Sequence, residues 1–401
     1  MSFIEYDVVI IGAGVAGLTA GAKLAEHGFH VALVTKGEPT ACLSTGCVDV
    51  CSLSDHPLDG IDSLPPEHPF HLVDKSVIKE SLHHFQAVMM DMGIPYAGSA
   101  EKNRLVMSAL GTFKKSCLIP STMEAAPQHT QESVHIITFK GLKDFYPGYI
   151  ISRRRNTKFS VYDAGVSTTM SIASRFEEKD FFENFLLWLE KLNIAEDRIA
   201  FPAVLGLESA AEIFRTLSMR VGKPVFEIPT IPPSMPGRRL FSALKKNFRQ
   251  KGGTIYWSWP VVGTEKTGHL IEAVTTFSEG RPKSINARAF ILATGSFVGG
   301  GLTATRETIL ENIFNLPVHK SGPRETWFNN DYFSQNHGIG KAGIMADVSM
   351  RPAGCAWKNV FVCGSILANT EILKNGCGHG LALATANAAA QSCAEYLSHE
   401  L

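Results

Sequence analysis

A glycine-rich turn near the start of the chain constrains its fold more than any other feature. Gly12, Gly14 and Gly17 directly follow a short apolar run at residues 7–11, and a helical pattern leads from them to a second apolar run at residues 31–34. Together these segments predict a βαβ unit, the context in which this glycine pattern is specific. Gly12 permits the tight turn, Gly14 lets the backbone approach a phosphate, and Gly17 lets the helix pack close to the strand. The pattern therefore predicts a Rossmann-like α/β fold with an anion at the positive end of the helix dipole, although a βαβ turn that binds nothing has the same outline.

One position where a dinucleotide-binding fold usually carries an acid holds a hydroxyl residue instead, since the second apolar run ends at Thr35. A carboxylate at such a position holds a ribose, and charge-assisted hydrogen bonds contribute roughly 1.5–3 kcal/mol. A neutral hydroxyl would weaken adenosine binding about ten-fold or more. We therefore expect no NAD here, and a smaller nucleotide rather than a full dinucleotide.

The composition is that of a globular chain without a bulk charge. Among 401 residues, 38 Lys and Arg balance 38 Asp and Glu, so no net field draws the chain to nucleic acid or anionic lipid. No uncharged apolar stretch approaches the roughly 20 residues of a membrane-spanning helix. The N-terminus is acidic and does not resemble a secretory signal. We expect a cytoplasmic chain with reduced thiols.

The cysteines include no CxxC pair, but three of them lie close together in sequence: Cys42, Cys47 and Cys51. Three thiolates are one possible start of an iron–sulfur or zinc site. A fourth ligand is not evident, so buried free thiols are the favoured interpretation and no metal is expected.

Three segments in the last third of the chain complete the predicted nucleotide-binding domain. Residues 290–293 predict a buried strand that leads into a turn at Gly295, and residues 359–365 predict another strand. A glycine-rich loop around Gly378 then opens onto a helix of small residues at 381–397. Together with the N-terminal turn, these segments resemble flavoproteins of the two-dinucleotide-binding-fold superfamily, in particular the branch that contains the fumarate reductases.

That resemblance implies a discontinuous flavin-binding domain. We expect it to comprise residues 1–65 plus 229–401, with an inserted α/β capping or partner domain at residues 66–228. Within the insert, residues 176–192 predict one amphipathic helix. Its apolar stripe fits either core packing or the docking of a partner subunit.

Further segments are similar to one family, the B subunit of anaerobic glycerol-3-phosphate dehydrogenase. The proline-rich segment at residues 229–240 is the most specific, since a generic Rossmann protein has no such segment. The other matching segments are spread over nearly the whole chain, at residues 34–37, 44–46, 141–145, 205–207, 293–297, 363–365 and 376–378. The superfamily resemblance implies an acid after the glycine that ends the last strand, whereas this chain has Gly364-Ser365. The hydroxyl residues Thr35 and Ser365 fit the B-subunit family.

The resemblance implies an oxidoreductase, the flavoprotein subunit of a three-part respiratory complex. Such a complex is a quinone-dependent dehydrogenase that oxidises sn-glycerol 3-phosphate to dihydroxyacetone phosphate, and its electrons pass through the quinone pool to fumarate or nitrate. The expected cofactor is FMN, with FAD as the alternative. The expected partners are a homologous FAD-containing subunit and an iron–sulfur subunit that holds the complex at the inner face of the cytoplasmic membrane. Two other interpretations stay open: a fumarate-reductase-like enzyme for another substrate, and a Rossmann scaffold subunit that binds no cofactor.

The residues expected to bind the cofactor lie in the glycine turns, at the strand ends and in the loop after the second strand. They are Gly12, Gly14, Gly17, Thr35, Ser44, Thr45, Gly46, Gly295, Gly364, Ser365 and Gly378. No catalytic base is identifiable. His379 is a candidate for placing charge or a proton near the flavin, and Arg238 for binding an anion at a helix N-terminus. A structural loop histidine and an ion-paired surface arginine are the alternatives.

Overall fold

The computed structural model describes residues 4–127, 131–278, 280–334 and 336–399. The chain divides into two compact units. The first unit comprises Met1–Thr40, Asp49–Phe85 and Leu244–Leu401, and the second comprises Ala41–Val48 and Gln86–Ala243. The expected division into a flavin-binding domain at residues 1–65 plus 229–401 and an inserted domain at residues 66–228 remains a prediction.

The α-helices of the described residues are, in chain order, α1 (Val15–Glu26), α2 (Pro57–Ile61), α3 (Lys75–Asp91), α4 (Pro147–Arg153), α5 (Thr169–Phe176), α6 (Lys179–Lys191), α7 (Ala210–Val221), α8 (Met235–Gln250), α9 (Ile372–Asn375) and α10 (Gly378–His399). Short 3-10 helices lie at Thr40–Leu43, Pro69–Leu72, Ser121–Met123, Arg324–Thr326, Gly338–Lys341 and Gly364–Ile366.

The strands are β1 (Ile4–Ile11), β2 (Val31–Thr35), β3 (Tyr96–Gly98), β4 (Arg104–Met107), β5 (Phe113–Ser116), β6 (Leu118–Pro120), β7 (Val134–Phe139), β8 (Thr157–Tyr162), β9 (Arg198–Pro202), β10 (Val225–Ile228), β11 (Thr254–Trp257), β12 (Val261–Thr267), β13 (Leu270–Ser278), β14 (Arg281–Leu292), β15 (Leu302–Ala304), β16 (Ile309–Glu311), β17 (Val318–His319), β18 (Gly343–Ile344) and β19 (Val360–Val362).

A seven-stranded sheet forms the centre of the first unit. Its order is β11-β2-β1-β14-β13-β12, and β19 pairs with the end of β14. The β1 strand is parallel to both β2 and β14, and β14 is parallel to β19. The β13 strand is antiparallel to both of its neighbours, β14 and β12. Val8, Val9 and Ile10 are fully buried, as expected for a parallel strand covered on both faces. The predicted Rossmann-like α/β fold is confirmed.

Two helices that pack together, α1 and α10, cover this sheet. Small side chains make the close approach possible, since α10 buries Ala384, Ala386 and Ala389. The Thr385 hydroxyl accepts a hydrogen bond from the Gly364 amide at 2.9 Å, which ties α10 to the turn that follows β19.

The second unit is built on a parallel four-stranded sheet, in the order β10-β9-β7-β8. Its core is rich in aromatic side chains. Phe139, Phe176 and Phe185 contact one another at ring-centroid distances of 5.0–6.1 Å.

The amphipathic helix predicted at residues 176–192 is present as α6, which begins at Lys179 and ends at Lys191. Its start differs from the prediction, because Phe176 is the last residue of the preceding helix, α5. Between α5 and α6, the Glu177 carboxylate accepts backbone hydrogen bonds from Leu207, Glu208 and Ser209, so a long-range contact holds the junction of the two helices. The apolar stripe is buried in the core of the unit, which confirms the packing interpretation.

Throughout the described ranges, no helix is both long and apolar enough to cross a membrane.

Candidate cofactor site

The carboxyl ends of the parallel strands in the first unit meet along one edge of the sheet. Gly12 follows β1 directly, Gly295 lies just beyond β14, and Gly364 comes shortly after β19. Their φ angles are +114°, +75° and +77°, which glycine adopts at little cost. The chain turns sharply at each strand end, and ligands of open α/β sheets bind in the crevice beyond this edge.

Gly12 and Gly17 have no room for a side chain. A Cβ on Gly12 would lie 2.3 Å from the Ala293 carbonyl oxygen, and one on Gly17 would lie 1.9 Å from the Gly12 carbonyl oxygen. These contacts are with backbone, which cannot swing aside. The tight turn and the close packing of α1 predicted from these two glycines are therefore present in the structure.

Gly14 is different, because a Cβ at this position would meet no atom within 4 Å. Gly14 is the N-cap residue of α1, with an extended backbone at φ −72° and ψ −177°. The first N–H groups of a helix have no partner within the helix, and they carry the positive end of its dipole. The structure thus leaves an open approach to the N-terminus of α1.

Two further features of this edge were not identified from the sequence. A Cβ on Gly300 would lie 2.6 Å from Lys36 Nζ, so this ammonium group reaches from the end of β2 over the glycine loop that follows β14. In the described part of the chain, no carboxylate forms an ion pair with Lys36.

The second feature is Thr294 Oγ1, which is buried and has no hydrogen-bond partner among the described residues. Lys36 directly follows Thr35 and Thr294 directly precedes Gly295, but their positions depend on contacts that are remote in sequence.

Thr35 and Ser365 occupy the two positions where an acid is usual. The Thr35 hydroxyl closes its own turn, since it donates to the Gly37 carbonyl oxygen at 3.0 Å and lies 3.3 Å from the Gly37 amide. Ser365 Oγ lies 3.4 Å from the Cβ position of Gly295. The structure brings Ser365 and Gly295 together, whereas the Thr35 hydroxyl is occupied locally.

The loop that precedes α10 packs on the segment that begins at Asp49. The Gly380 amide donates to the Asp49 carbonyl oxygen at 3.1 Å, and a Cβ on Gly376 would collide with Ser52 Oγ. Gly378 is the first residue of α10, and His379 beside it is half-buried. Contact of Gly378 or His379 with a cofactor remains a prediction.

Behind this loop, His68 is fully buried. Its Nδ1 accepts from the Phe70 amide at 3.2 Å, and its Nε2 lies 3.3 Å from the Thr370 carbonyl oxygen and 3.8 Å from Cys377 Sγ. Burial lowers the pKa of His68 to about 4, and burial raises the pKa of the Cys377 thiol. This pair is therefore a neutral imidazole beside a protonated thiol.

The three clustered cysteines are all buried. Cys42 and Cys47 belong to the second unit, and Cys51 belongs to the first. Burial raises the pKa of Cys51, which opposes the thiolate form that metal binding needs. Within the described ranges, no group of three His, Cys, Asp or Glu side chains could hold a metal ion.

Ser44, Thr45 and Gly46 belong to the second unit. The Ser44 hydroxyl donates to the Ala41 carbonyl oxygen at 2.8 Å, and the Gly46 carbonyl oxygen accepts from the Tyr96 hydroxyl at 2.7 Å. The loop therefore has a defined, internally bonded shape. Its contact with a cofactor remains a prediction.

The proline-rich segment leads into α8, whose residues up to Ala243 belong to the same unit. Arg238 is half-buried. Arg239 is buried, with Nη1 at 2.6 Å from Glu227 Oε2 and further bonds to the Gly206 carbonyl oxygen. The charge of Arg239 is thus neutralised by Glu227, and the anion-binding role expected of Arg238 remains a prediction.

Comparison with known proteins adds family membership to this geometry. The model of the FAD binding domain family matches residues 7–381. The B subunit of anaerobic glycerol-3-phosphate dehydrogenase from Pectobacterium atrosepticum is 30% identical over an alignment of 423 positions. The alignment covers 95% of this chain and 97% of that protein. The chain belongs to this B-subunit family. The corresponding B subunits of Yersinia enterocolitica and Vibrio vulnificus are 28% and 27% identical over 95% and 97% of the chain, and over 96% of their own lengths.

Among solved structures, the FrdA chain of E. coli quinol fumarate reductase aligns with 100% of this chain and 72% of its own length, at 11% identity and a TM-score of 0.48. The 3-ketosteroid delta1-dehydrogenase of Sterolibacterium denitrificans aligns over 99% and 100%, at 10% identity and a TM-score of 0.44.

Membership of the B-subunit family and of the FAD binding domain family confirms the predicted resemblance and the flavoprotein fold. FMN as the first choice of cofactor is not supported, because the matching family model describes an FAD domain. That choice followed from the family resemblance and from the missing acids at Thr35 and Ser365.

Proposed function

We propose that the chain is the flavin-binding subunit of a glycerol 3-phosphate dehydrogenase complex and binds FAD at the carboxyl edge of its seven-stranded sheet. The observation that carries the proposal is the open space at Gly14, in front of the N-terminus of α1, beside two glycines packed against backbone. An FAD pyrophosphate needs this combination of a free helix end and close backbone approach. A bound flavin supplies a hydride acceptor that returns electrons one at a time.

The residues of this edge fit such a group in charge and in hydrogen bonding. The N–H groups of the first turn of α1 would hold a phosphate, and the Lys36 ammonium would neutralise its charge. Gly295 and Ser365 would line the crevice without bulk. The N-terminus of α10 at Gly378 would place its partial positive charge toward the electron-rich reduced ring.

The substrate and the partners are proposed from the relatives. Proteins that match nearly the whole chain are named as the B subunit of anaerobic glycerol-3-phosphate dehydrogenase. Oxidation of the C2 alcohol of sn-glycerol 3-phosphate to the ketone removes a hydride from C2 and a proton from the hydroxyl. A flavin is a suitable acceptor for the hydride. A name that designates one subunit supports assembly with others. We propose an FAD-containing subunit and an iron–sulfur subunit that passes electrons to a membrane quinone and holds the chain at the cytoplasmic face.

Substitution of Gly14 tests the cofactor site without disturbing the fold. Gly14→Val should fold, since its backbone is extended and its Cβ position is open, but the branched side chain would fill the space of the phosphate. We expect the purified variant to keep its circular dichroism spectrum and melting temperature while it loses most of its bound flavin, measured by visible absorbance per chain.

Gly340→Val is the matched control, because Gly340 also has open space at its Cβ position and needs no positive φ. This control should retain flavin. Full flavin occupancy in Gly14→Val would remove the assignment of Gly12, Gly14 and Gly17 to the cofactor.

A further inference from the structure

The second unit contains a cavity of about 310 Å³ that the proposed function does not use. Its walls are mainly apolar, and the apolar side chains among its lining residues include Ile94, Pro95, Tyr96, Pro120, Phe214 and Pro236. The volume is at the lower end of the range for ligand pockets in proteins. Glycerol 3-phosphate is polar over its whole length, so these walls do not suit it.

Helix α7 supplies one side of the cavity. Ala211, Phe214, Arg215 and Ser218 line it, and their spacing of three and four residues puts them on one helix face. Ile213 and Leu217 on another face of α7 are buried in the core of the unit. The helix that forms this wall is therefore anchored in the core of the unit by its other face.

The polar side chains that line the cavity are arginines and residues with a hydroxyl group. Arg215 is exposed, and none of the described residues forms an ion pair with it. The Ser121 and Ser218 hydroxyls also line the cavity and have no side-chain partner among the described residues. The other arginine of the wall, Arg239, is already paired with Glu227. No lining residue is acidic, so the free charge of the site is positive.

We propose that this cavity binds a small amphipathic anion, a monocarboxylate with an unbranched or aromatic apolar body. The apolar walls would take the hydrocarbon part, because removal of apolar surface from water is favourable. The carboxylate would accept charge-assisted hydrogen bonds from Arg215 and hydrogen bonds from the two serines. A cationic ligand of the same shape would meet Arg215 with like charge and would be rejected.

Three probes with the same hydrocarbon chain length but different head groups separate the contribution of the apolar walls from that of the charge: octanoate, 1-octanol and octylamine. Isothermal titration calorimetry on the purified full-length chain should give saturable binding of one octanoate per chain, at least ten-fold tighter than octylamine, with octanol between them. Absence of octanoate binding, or equal affinity for octanoate and octylamine, would overturn the proposal.

Two variants locate the binding in the cavity. Ala211→Phe fills the space from a half-buried helix position and should weaken octanoate binding at least ten-fold. Arg215→Gln should abolish the preference for octanoate over octanol and leave octanol binding unchanged. Arg249→Gln removes the same charge from an exposed position at the end of α8 and should change neither affinity. Circular dichroism and flavin content are measured in the same samples, and unchanged octanoate binding by folded Ala211→Phe would contradict the assignment.

Discussion

At the scale of single residues, His68 carries a measurable pH dependence. Its pKa is lowered by burial to about 4, from an ordinary value of 6.5. The unfolded chain therefore takes up this proton more readily than the folded chain between these two values. The contribution of His68 to the free energy of unfolding is therefore present in full above about pH 6.5, and it is lost as the pH falls toward 4.

We expect His68→Asn to remove this dependence, since asparagine keeps an acceptor for the Phe70 amide but does not titrate. Between pH 7 and pH 5, the wild-type chain should lose about 2 kcal/mol more free energy of unfolding than the variant. The measurement is urea unfolding at the two pH values. His83→Asn, at an exposed helix position, is the control and should lose as much as the wild type. Equal losses in all three chains would show that His68 titrates normally.

At the scale of elements, a buried hydrogen bond joins α10 to the turn that follows β19. The Thr385 hydroxyl accepts from the Gly364 amide at 2.9 Å and donates to the Leu381 carbonyl oxygen at 2.7 Å. Thr385→Val keeps the shape and removes the acceptor, so the Gly364 amide is left unpaired. We expect a loss of about 1–3 kcal/mol in the free energy of unfolding, measured by denaturant titration.

Thr385→Ser should restore most of this loss, because serine supplies the same hydroxyl. A Thr385→Val chain as stable as the wild type would mean that the Gly364 amide finds another partner.

The elements also show what the sequence can predict. The βαβ unit and the strand before Gly295 follow from local patterns of apolar residues and glycine, and the structure has them. The positions of Lys36 over Gly300 and of Glu177 against the loop at residues 207–209 depend on segments far apart in the chain. Such contacts leave no local pattern, so the position of Lys36 was missed and the start of α6 was predicted a few residues too early.

At the scale of the whole molecule, the proposed function makes the chain one part of an electron-transfer complex. We expect the purified chain alone to show no reduction of a quinone analogue by glycerol 3-phosphate, and the complex with its partner subunits to show it. A complex that carries Gly14→Val should lose at least ten-fold in this rate. Robust turnover by the chain alone would refute the need for partners and indicate a self-contained flavoenzyme.

The central claim is that the chain binds FAD at its glycine-lined sheet edge, and the ligand released on denaturation tests it most directly. The protein is purified under native conditions, denatured and filtered, and the filtrate is analysed by mass spectrometry with quantification against protein. We predict about one FAD per chain in the wild type and little in Gly14→Val. Recovery of FMN would contradict the assignment of FAD, and a filtrate without any flavin would contradict flavin binding altogether and indicate a scaffold subunit.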